Sequence, residues 1–190
     1  MLISLIVPCY NEEGSLPILY EALCGVRDGD DAGRDYEFIF VNDGSRDKTA
    51  DIIRSLAEND ACVKYVFFSR NFGKEAAMYA GMQKAKGDYI AILDADMQDP
   101  PSLIPQMIKD LDNDEADIIA ARRVTRKGEP KIRSFFARCF YKLINRMCDV
   151  EIADGARDFR LMRRKVVDAI LSISERQRFS KGIFAWVGFR

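Results

Sequence analysis

An α/β domain on an open, mostly parallel sheet flanked by helices is what this sequence predicts, and three observations predict it. Short β-rich runs alternate with helical patterns through the first two thirds of the chain. The leading run, 2–8, is continuously apolar, as a strand buried on both faces reads. Each run then closes on polar residues of one chemical kind: Asn11-Glu12, Asn42-Asp43-Gly44, Arg70-Asn71 and Asp94-Ala95-Asp96. In parallel sheets with right-handed crossovers those closures fall on one edge, where ligands bind.

The elements follow in order. After strand 2–8, Ser15 is placed to cap a helix to about residue 26. A second strand spans 36–41, and Asp47 caps a helix to about 58 with Ile52, Ile53 and Leu56 on one side. A third strand spans 63–68, and a helix of small residues runs over 73–85 and stops at Gly87. A fourth strand covers 89–93, Pro100-Pro101 opens the next helix, and 117–121 is a fifth strand. Beyond Arg122 the alternation breaks. A basic loop leads to an amphipathic helix over 132–148, whose apolar stripe includes Phe135, Phe136, Phe140 and Leu143. Between Arg122 and Arg146, nine cations stand against the acid Glu129. Such a run serves as a solvated face, an anion site or a helix lying on an anionic membrane surface.

Composition excludes several chemistries. The 190 residues, 48% hydrophobic and 31% charged, suit one domain with a sizeable core. A net charge of -1 gives no reason to expect nucleic-acid binding. With no histidine, His-ligated zinc and Ser-His-Asp hydrolysis are ruled out. Cys9, Cys24, Cys62, Cys139 and Cys148 lack metal-site spacing and read as thiols in a reducing compartment. The apolar start is too short for a signal peptide, and no apolar run reaches membrane-spanning length, so the fragment is expected to be soluble.

The strongest local signal is Leu93-Asp94-Ala95-Asp96-Met97-Gln98-Asp99-Pro100-Pro101. Two carboxylates one residue apart after a buried strand raise each other's pKa unless a cation intervenes. Mg²⁺ or Mn²⁺ supplies that cation, taking one or two carboxylates plus substrate phosphates. An Asp-rich turn is the plain alternative. Asp43 offers hydrogen bonds to a base or ribose, and Gly44 allows close backbone approach by a ligand. Tyr10 offers a stacking face, with Asn11 and Glu12 as polar contacts. Asn71-Phe72-Gly73-Lys74-Glu75 starts a helix whose N–H groups and Lys74 suit a phosphate.

As an ordered set, Pro8-x-Tyr10-Asn11-Glu12, Asn42-Asp43-Gly44-Ser45, Asn71-Phe72-Gly73, Asp94-Ala95-Asp96-Met97-Gln98-Asp99-Pro100-Pro101, Gly155-Ala156-Arg157-Asp158-Phe159-Arg160-Leu161-Met162 and Arg178-Phe179-x-Lys181-Gly182-x-Phe184-x-Trp186-Val187-Gly188-Phe189 resemble the family 2 glycosyltransferases of GT-A fold. Within them the chain is most similar to the dolichol-phosphate mannosyltransferase-like, polyprenyl-phosphate glycosyltransferase branch.

The resemblance implies one GT-A domain over 1–190, with a nucleotide-sugar-binding half (1–122) and an acceptor-side half (123–190). It places Pro8, Tyr10, Glu12 and Asp43 around the nucleotide. Asp94, Asp96 and Gln98 hold the metal and the donor diphosphate; Asp96 counts as catalytic through that metal. Arg122, Arg133 and Ser134 hold the lipid phosphate, and Asp158 stands where a base is expected, in a motif reading Ala-Arg-Asp-Phe-Arg in place of the family's Gly-Asp-Phe-Arg. The implied reaction is inverting transfer of a hexose from a nucleotide sugar to a polyprenyl phosphate at the cytoplasmic membrane face. UDP-glucose is favoured over GDP-mannose or a UDP-N-acetylhexosamine. The resemblance also implies transmembrane helices after Trp186-Val187-Gly188-Phe189, and a homo-oligomer stays open. A sugar-nucleotide-binding scaffold without turnover and a Mg²⁺ aspartyl phosphatase are the competing readings.

Overall fold

The computed structural model describes residues 1–113, 116–122, 156–173, 175 and 178–190. Six strands form one sheet in the order β3-β2-β1-β4-β6-β5. They are β1 (Leu2–Cys9), β2 (Asp35–Asn42), β3 (Val63–Phe67), β4 (Tyr89–Ile92), β5 (Ile118–Arg122) and β6 (Ala156–Arg163). The pairs β1–β2, β2–β3 and β1–β4 are parallel. β6 runs antiparallel between β4 and β5, so β5 keeps the direction of the first four strands. The start of β6 therefore lies at the edge where the parallel strands end.

Helices cover both faces, which is why the central strands β1, β2 and β4 are buried along almost their whole length rather than alternating. On one face Ile3, Leu5, Val7, Phe38, Phe40, Ala91 and Phe159 pack under α1 (Leu16–Asp28), α2 (Thr49–Asn59) and α4 (Ile104–Asp112). On the other, Ile6, Ile39, Val41, Ile90, Ile92 and Met162 meet α3 (Lys74–Lys84), α5 (Arg164–Ser172) and α6 (Ser180–Trp186). Burying an Ile or Phe of this kind contributes about 1.5–3 kcal/mol. Gly81 lets α3 lie close on β1, since a Cβ there would stand 2.2 Å from the Ile6 side chain.

Several boundaries differ from the sequence expectation for physical reasons. Ser15 precedes α1 without a side-chain cap, because its hydroxyl donates to the Glu12 carboxylate. Gly87 does not end α3 in a left-handed turn: α3 stops at Lys84 and Ala85 is extended. Gly87 is needed for close approach, as a Cβ there would come within 2.6–2.8 Å of Ser4 and the Leu2 carbonyl. Pro101 starts a short 3-10 turn, Pro101–Leu103, and α4 proper begins at Ile104. Strand β6 and helix α5 are additions the sequence pattern did not suggest. The expected helix over 132–148 lies outside the described residues, as do Arg133, Ser134, Cys139 and Cys148. Among the described residues no helix is long and apolar enough to cross a membrane.

Candidate active site

The carboxyl edge of β1, β2 and β4 encloses a cavity of about 300 Å³ lined by Pro8, Tyr10, Glu12, Asp43, Lys74, Asp94 and Asp96, among others. Seven of the sequence-selected residues thus converge on one space. Gln98 is exposed on the same loop and does not line it. Arg122 closes β5 at the register position of Ala156, on the same edge. A more polar cavity of about 480 Å³ continues past Tyr10 and Asn71, bordered by Arg46, Arg54, Arg70 and Phe67.

Backbone geometry sets these positions. Asn11 (φ 57°) and Met97 (φ 58°) both adopt the left-handed conformation, each in the loop that leaves a strand of the edge. Asn tolerates that region, whereas Met there is an outlier of the kind that gathers at functional sites. The Met97 turn lets the Asp96 carboxylate accept the Gln98 N–H at 3.1 Å. Asn11 is braced on both sides: its N–H donates to Ser45 Oγ at 3.0 Å and its Oδ1 accepts the Arg46 N–H at 2.9 Å.

Asp43 lines the cavity and also has a structural task that its sequence position did not reveal. It is buried, and its two oxygens accept the N–H groups of Phe72 (2.6 Å) and Gly73 (2.9 Å). Those N–H groups are therefore engaged by Asp43 rather than turned to a phosphate. Gly44 (φ +66°) is required because a Cβ would stand 2.3 Å from the Arg70 carbonyl carbon. The approach that excludes a side chain there is made by the β3–α3 loop.

Lys74 is the electrostatic centre. Its Nζ lies 2.5 Å from Asp94 Oδ1 and 2.6 Å from Asp158 Oδ2, joining α3 to the ends of β4 and β6. Burial works against the Lys74 charge, but hydrogen bonds and attraction from Asp158 and Asp94 outweigh it and hold the ammonium above its ordinary value. Burial likewise pushes Asp158 up. The Lys74 hydrogen bond and the charges of Lys74, Lys181 and Arg160 prevail and keep its carboxyl below the usual range. Asp158 is thus an anion at neutral pH. The Cys9 thiol on the cavity floor is pushed far up by burial and by the Glu12 charge, and stays neutral.

The structure adds residues that sequence reasoning missed. Asp99 is buried and pairs with Arg157 at 2.9 Å, tying the acidic loop to the start of β6 next to Asp158. That bond gives Arg157 of the Ala-Arg-Asp-Phe-Arg motif a structural task. Arg160 is buried under the Phe184 ring, its guanidinium carbon 3.6 Å from the centroid, and burial lowers its pKa to about 10. Glu75 accepts the Ser180 N–H and hydroxyl, docking α6 on the first turn of α3. The spacing of Phe159 and Leu161 was the available signal for β6.

Among the described residues no three acidic, Cys or His side chains form a ready-made metal cage. Two carboxylates on one loop at a cavity wall still fit Mg²⁺ or Mn²⁺, which substrate phosphates complete. Of that pair, Asp94 draws a cation in this structure, the Lys74 ammonium that it shares with Asp158.

An α/β sheet whose strand ends present paired carboxylates to a ligand-sized cavity agrees with the GT-A fold expected from the sequence. Residues 4–171 match the profile of Glycosyl transferase family 2, and the chain belongs to that family. The chain is 42% identical over 189 residues to the "Prophage bactoprenol glucosyl transferase homolog" of Escherichia coli (strain K12), covering 99% of this chain and 60% of that protein. It is 41% identical over 189 residues to the "Bactoprenol glucosyl transferase" of Shigella phage SfV, again covering 99% and 60%. The chain therefore spans about three fifths of the length of these relatives. Among solved structures, a mannosyltransferase from Pyrobaculum calidifontis in complex with GDP-Man and Mn²⁺ superposes with a TM-score of 0.63 at 20% identity, covering 99% of this chain and 53% of that one. At that identity the likeness concerns the fold. Family membership removes the aspartyl-phosphatase reading, and the Asp-x-Asp pair follows the fourth strand, not the first.

Proposed function

We propose that this domain transfers a hexose, with UDP-glucose favoured as donor, to a polyprenyl phosphate with inversion at the anomeric carbon. The observation that carries the reading is that Lys74, which lines the cavity together with Asp94, Pro8, Tyr10, Glu12 and Asp43, pairs both Asp94 and Asp158. The names of the bactoprenol relatives support the lipid acceptor and the glucosyl group.

The nucleoside lies along Pro8, Tyr10 and Glu12, where Tyr10 is exposed for stacking. Asp43 acts chiefly by fixing the Phe72–Gly73 backbone that borders it. Asp94 and Asp96, with Gln98 beside them, would hold a Mg²⁺ or Mn²⁺ ion, whose chemistry is to offset charge on the departing nucleoside diphosphate. A phosphate oxygen of the acceptor forms the new bond to the anomeric carbon, and the leaving diphosphate keeps the electron pair of the broken one. A phosphate monoester has a second pKa of about 6, so the nucleophile is largely ionised at neutral pH. Asp158, itself anionic, then positions the acceptor and Lys74 more than it withdraws a proton. Arg122, Arg133 and Ser134 hold the acceptor phosphate, and the basic segment after Arg122 faces an anionic membrane on its cytoplasmic side.

The test is a thermal-shift panel of UDP-glucose, GDP-mannose and UDP-N-acetylglucosamine with and without Mn²⁺, since a ligand of the native state raises its melting temperature. It is followed by transfer of labelled sugar to a polyprenyl phosphate. Stabilisation by UDP-glucose that needs Mn²⁺, with labelled lipid formed, is the expected result. No metal-assisted stabilisation by any donor overturns the reading; stabilisation without transfer points to the scaffold that has lost turnover. Replacing Arg122 or Arg133 is expected to raise the acceptor KM with little change in donor binding.

A further inference from the structure

Lys74 satisfies the charge of two acids at the ends of neighbouring strands, Asp94 and Asp158. Its ammonium contacts Asp94 and Asp158 at 2.5 and 2.6 Å, and the stem is rooted firmly. Lys74 is the first residue of α3, and the preceding Gly73 (φ +95°) is pinned through its N–H to buried Asp43. The reach from α3 to the ends of β4 and β6 is thus preset by the nucleotide side of the edge. Asp96 takes no part: it is exposed, and its Oδ1 is bonded to the Gln98 N–H of its own loop.

This arrangement has an electrostatic consequence for the cation that Asp94 and Asp96 would hold. A divalent ion arriving alone must break the Lys74–Asp94 pair and sit within a few ångströms of an ammonium, where like charges repel. An ion arriving with a diphosphate meets a different balance, because the diphosphate supplies Lys74 with new anionic partners. We infer that Lys74 is a positioning residue that blocks Asp94 against free divalent cations and couples their entry to the donor's diphosphate. The inference rests on the reading of Asp94 and Asp96 as metal-holding carboxylates. It goes further by assigning the order of loading to one side chain. Coupling of this kind is reciprocal: UDP strengthens Mn²⁺ binding by the same factor as Mn²⁺ strengthens UDP binding.

The experiment is a Mn²⁺ titration followed by electron paramagnetic resonance, with and without UDP, on the wild-type chain, Lys74→Met and Lys74→Arg. In the wild type, Mn²⁺ alone should bind weakly and UDP should strengthen it by a factor of ten or more. In Lys74→Met, binding of Mn²⁺ alone should tighten by about ten-fold and the enhancement by UDP should shrink, while Lys74→Arg behaves as the wild type. Lys74→Gln takes the place of Lys74→Met if the latter does not melt as a folded protein. Mn²⁺ binding to the Met or Gln variant that is no tighter than wild type, while the UDP enhancement persists, overturns the role of Lys74 alone. Failure of the wild type to bind Mn²⁺ even with UDP overturns the metal reading and this inference together.

Discussion

The two flanks of the strand-end cavity are held by different forces. On the β1–β2 flank the loops are laced by hydrogen bonds to backbone N–H groups. The Glu12 N–H donates to Thr49 Oγ1 at 2.8 Å, the Glu13 N–H to Asp47 Oδ2 at 3.1 Å, and the Lys48 N–H to Glu13 Oε2 at 3.0 Å. Asn11–Ser45 and Asp43–Phe72 continue the same lacing. On the β4–β6 flank the ties are ion pairs: Lys74 with Asp94 and Asp158, and Arg157 with Asp99. Hydrogen bonds to backbone are directional, and several of them tie the same two loops together, so the first flank keeps its shape whether or not a ligand is bound. Ion pairs exchange partners when a new charge enters. The first flank is a fixed mould and the second an exchangeable charge cluster, the two properties that the proposed transfer calls for.

The largest effects should fall on the charge cluster. Asp94→Asn is expected to lower transfer at least about 100-fold, the scale for removing one preorganised electrostatic group, with the melting temperature nearly kept. Asp158→Asn should cost less with a phosphate acceptor, about ten-fold, because the nucleophile arrives ionised. Steady-state assays on both variants check the order. An equally complete loss in both would make Asp158 an obligatory proton acceptor and break the contrast between a charge cluster and a base. On the moulded flank the expected loss is in stability. Asp43→Ala leaves the Phe72 and Gly73 N–H groups without their carboxylate and should cost about 2–3 kcal/mol, since bonds to charged groups contribute about 1.5–3 kcal/mol. Urea denaturation measures it; an unchanged midpoint would show that this flank does not depend on Asp43.

The same contrast explains what could be read from the chain alone. The parallel half was legible because both-face burial writes continuous apolar runs, and because acids and amides punctuate strand ends where parallel topology gathers them. β6 was not. Its sequence ARDFRLMR carries Arg157, Arg160 and Arg163 in eight residues and reads as a solvated segment. Those charges are absorbed by Asp99, by the Phe184 face, and by the Leu111 carbonyl together with Asp117, partners remote in sequence. Asp43 and Lys74 were legible as residue types at meaningful positions, but their partners were not. Local spacing says that an acid follows β2; only the folded chain says that it faces the 72–73 backbone. The Lys74–Asp158 contact spans 84 positions, beyond the reach of any periodicity.

The smallest expected effect tests the moulded flank through acid. Burial pushes Asp47 up, but hydrogen bonds from Thr49 and from the Glu13 N–H prevail and hold its carboxyl below the usual value. A carboxyl depressed in the folded state binds fewer protons there than in the unfolded chain. Its contribution is therefore complete above the unfolded value of about 3.9 and is lost as the pH falls through the folded one. Stability should stay level from pH 7 to about 5 and decline below about 4. Asp47→Asn keeps one acceptor oxygen for the Thr49 N–H, gives up the bond from Glu13, and has nothing to titrate. It should cost about 1 kcal/mol at pH 7 and make the acid decline shallower. Urea midpoints between pH 3 and 7 measure both effects. A decline as steep as the wild type's would mean that Asp47 binds its proton equally in both states, and that the carboxylate's charge adds nothing to the bracing its geometry provides.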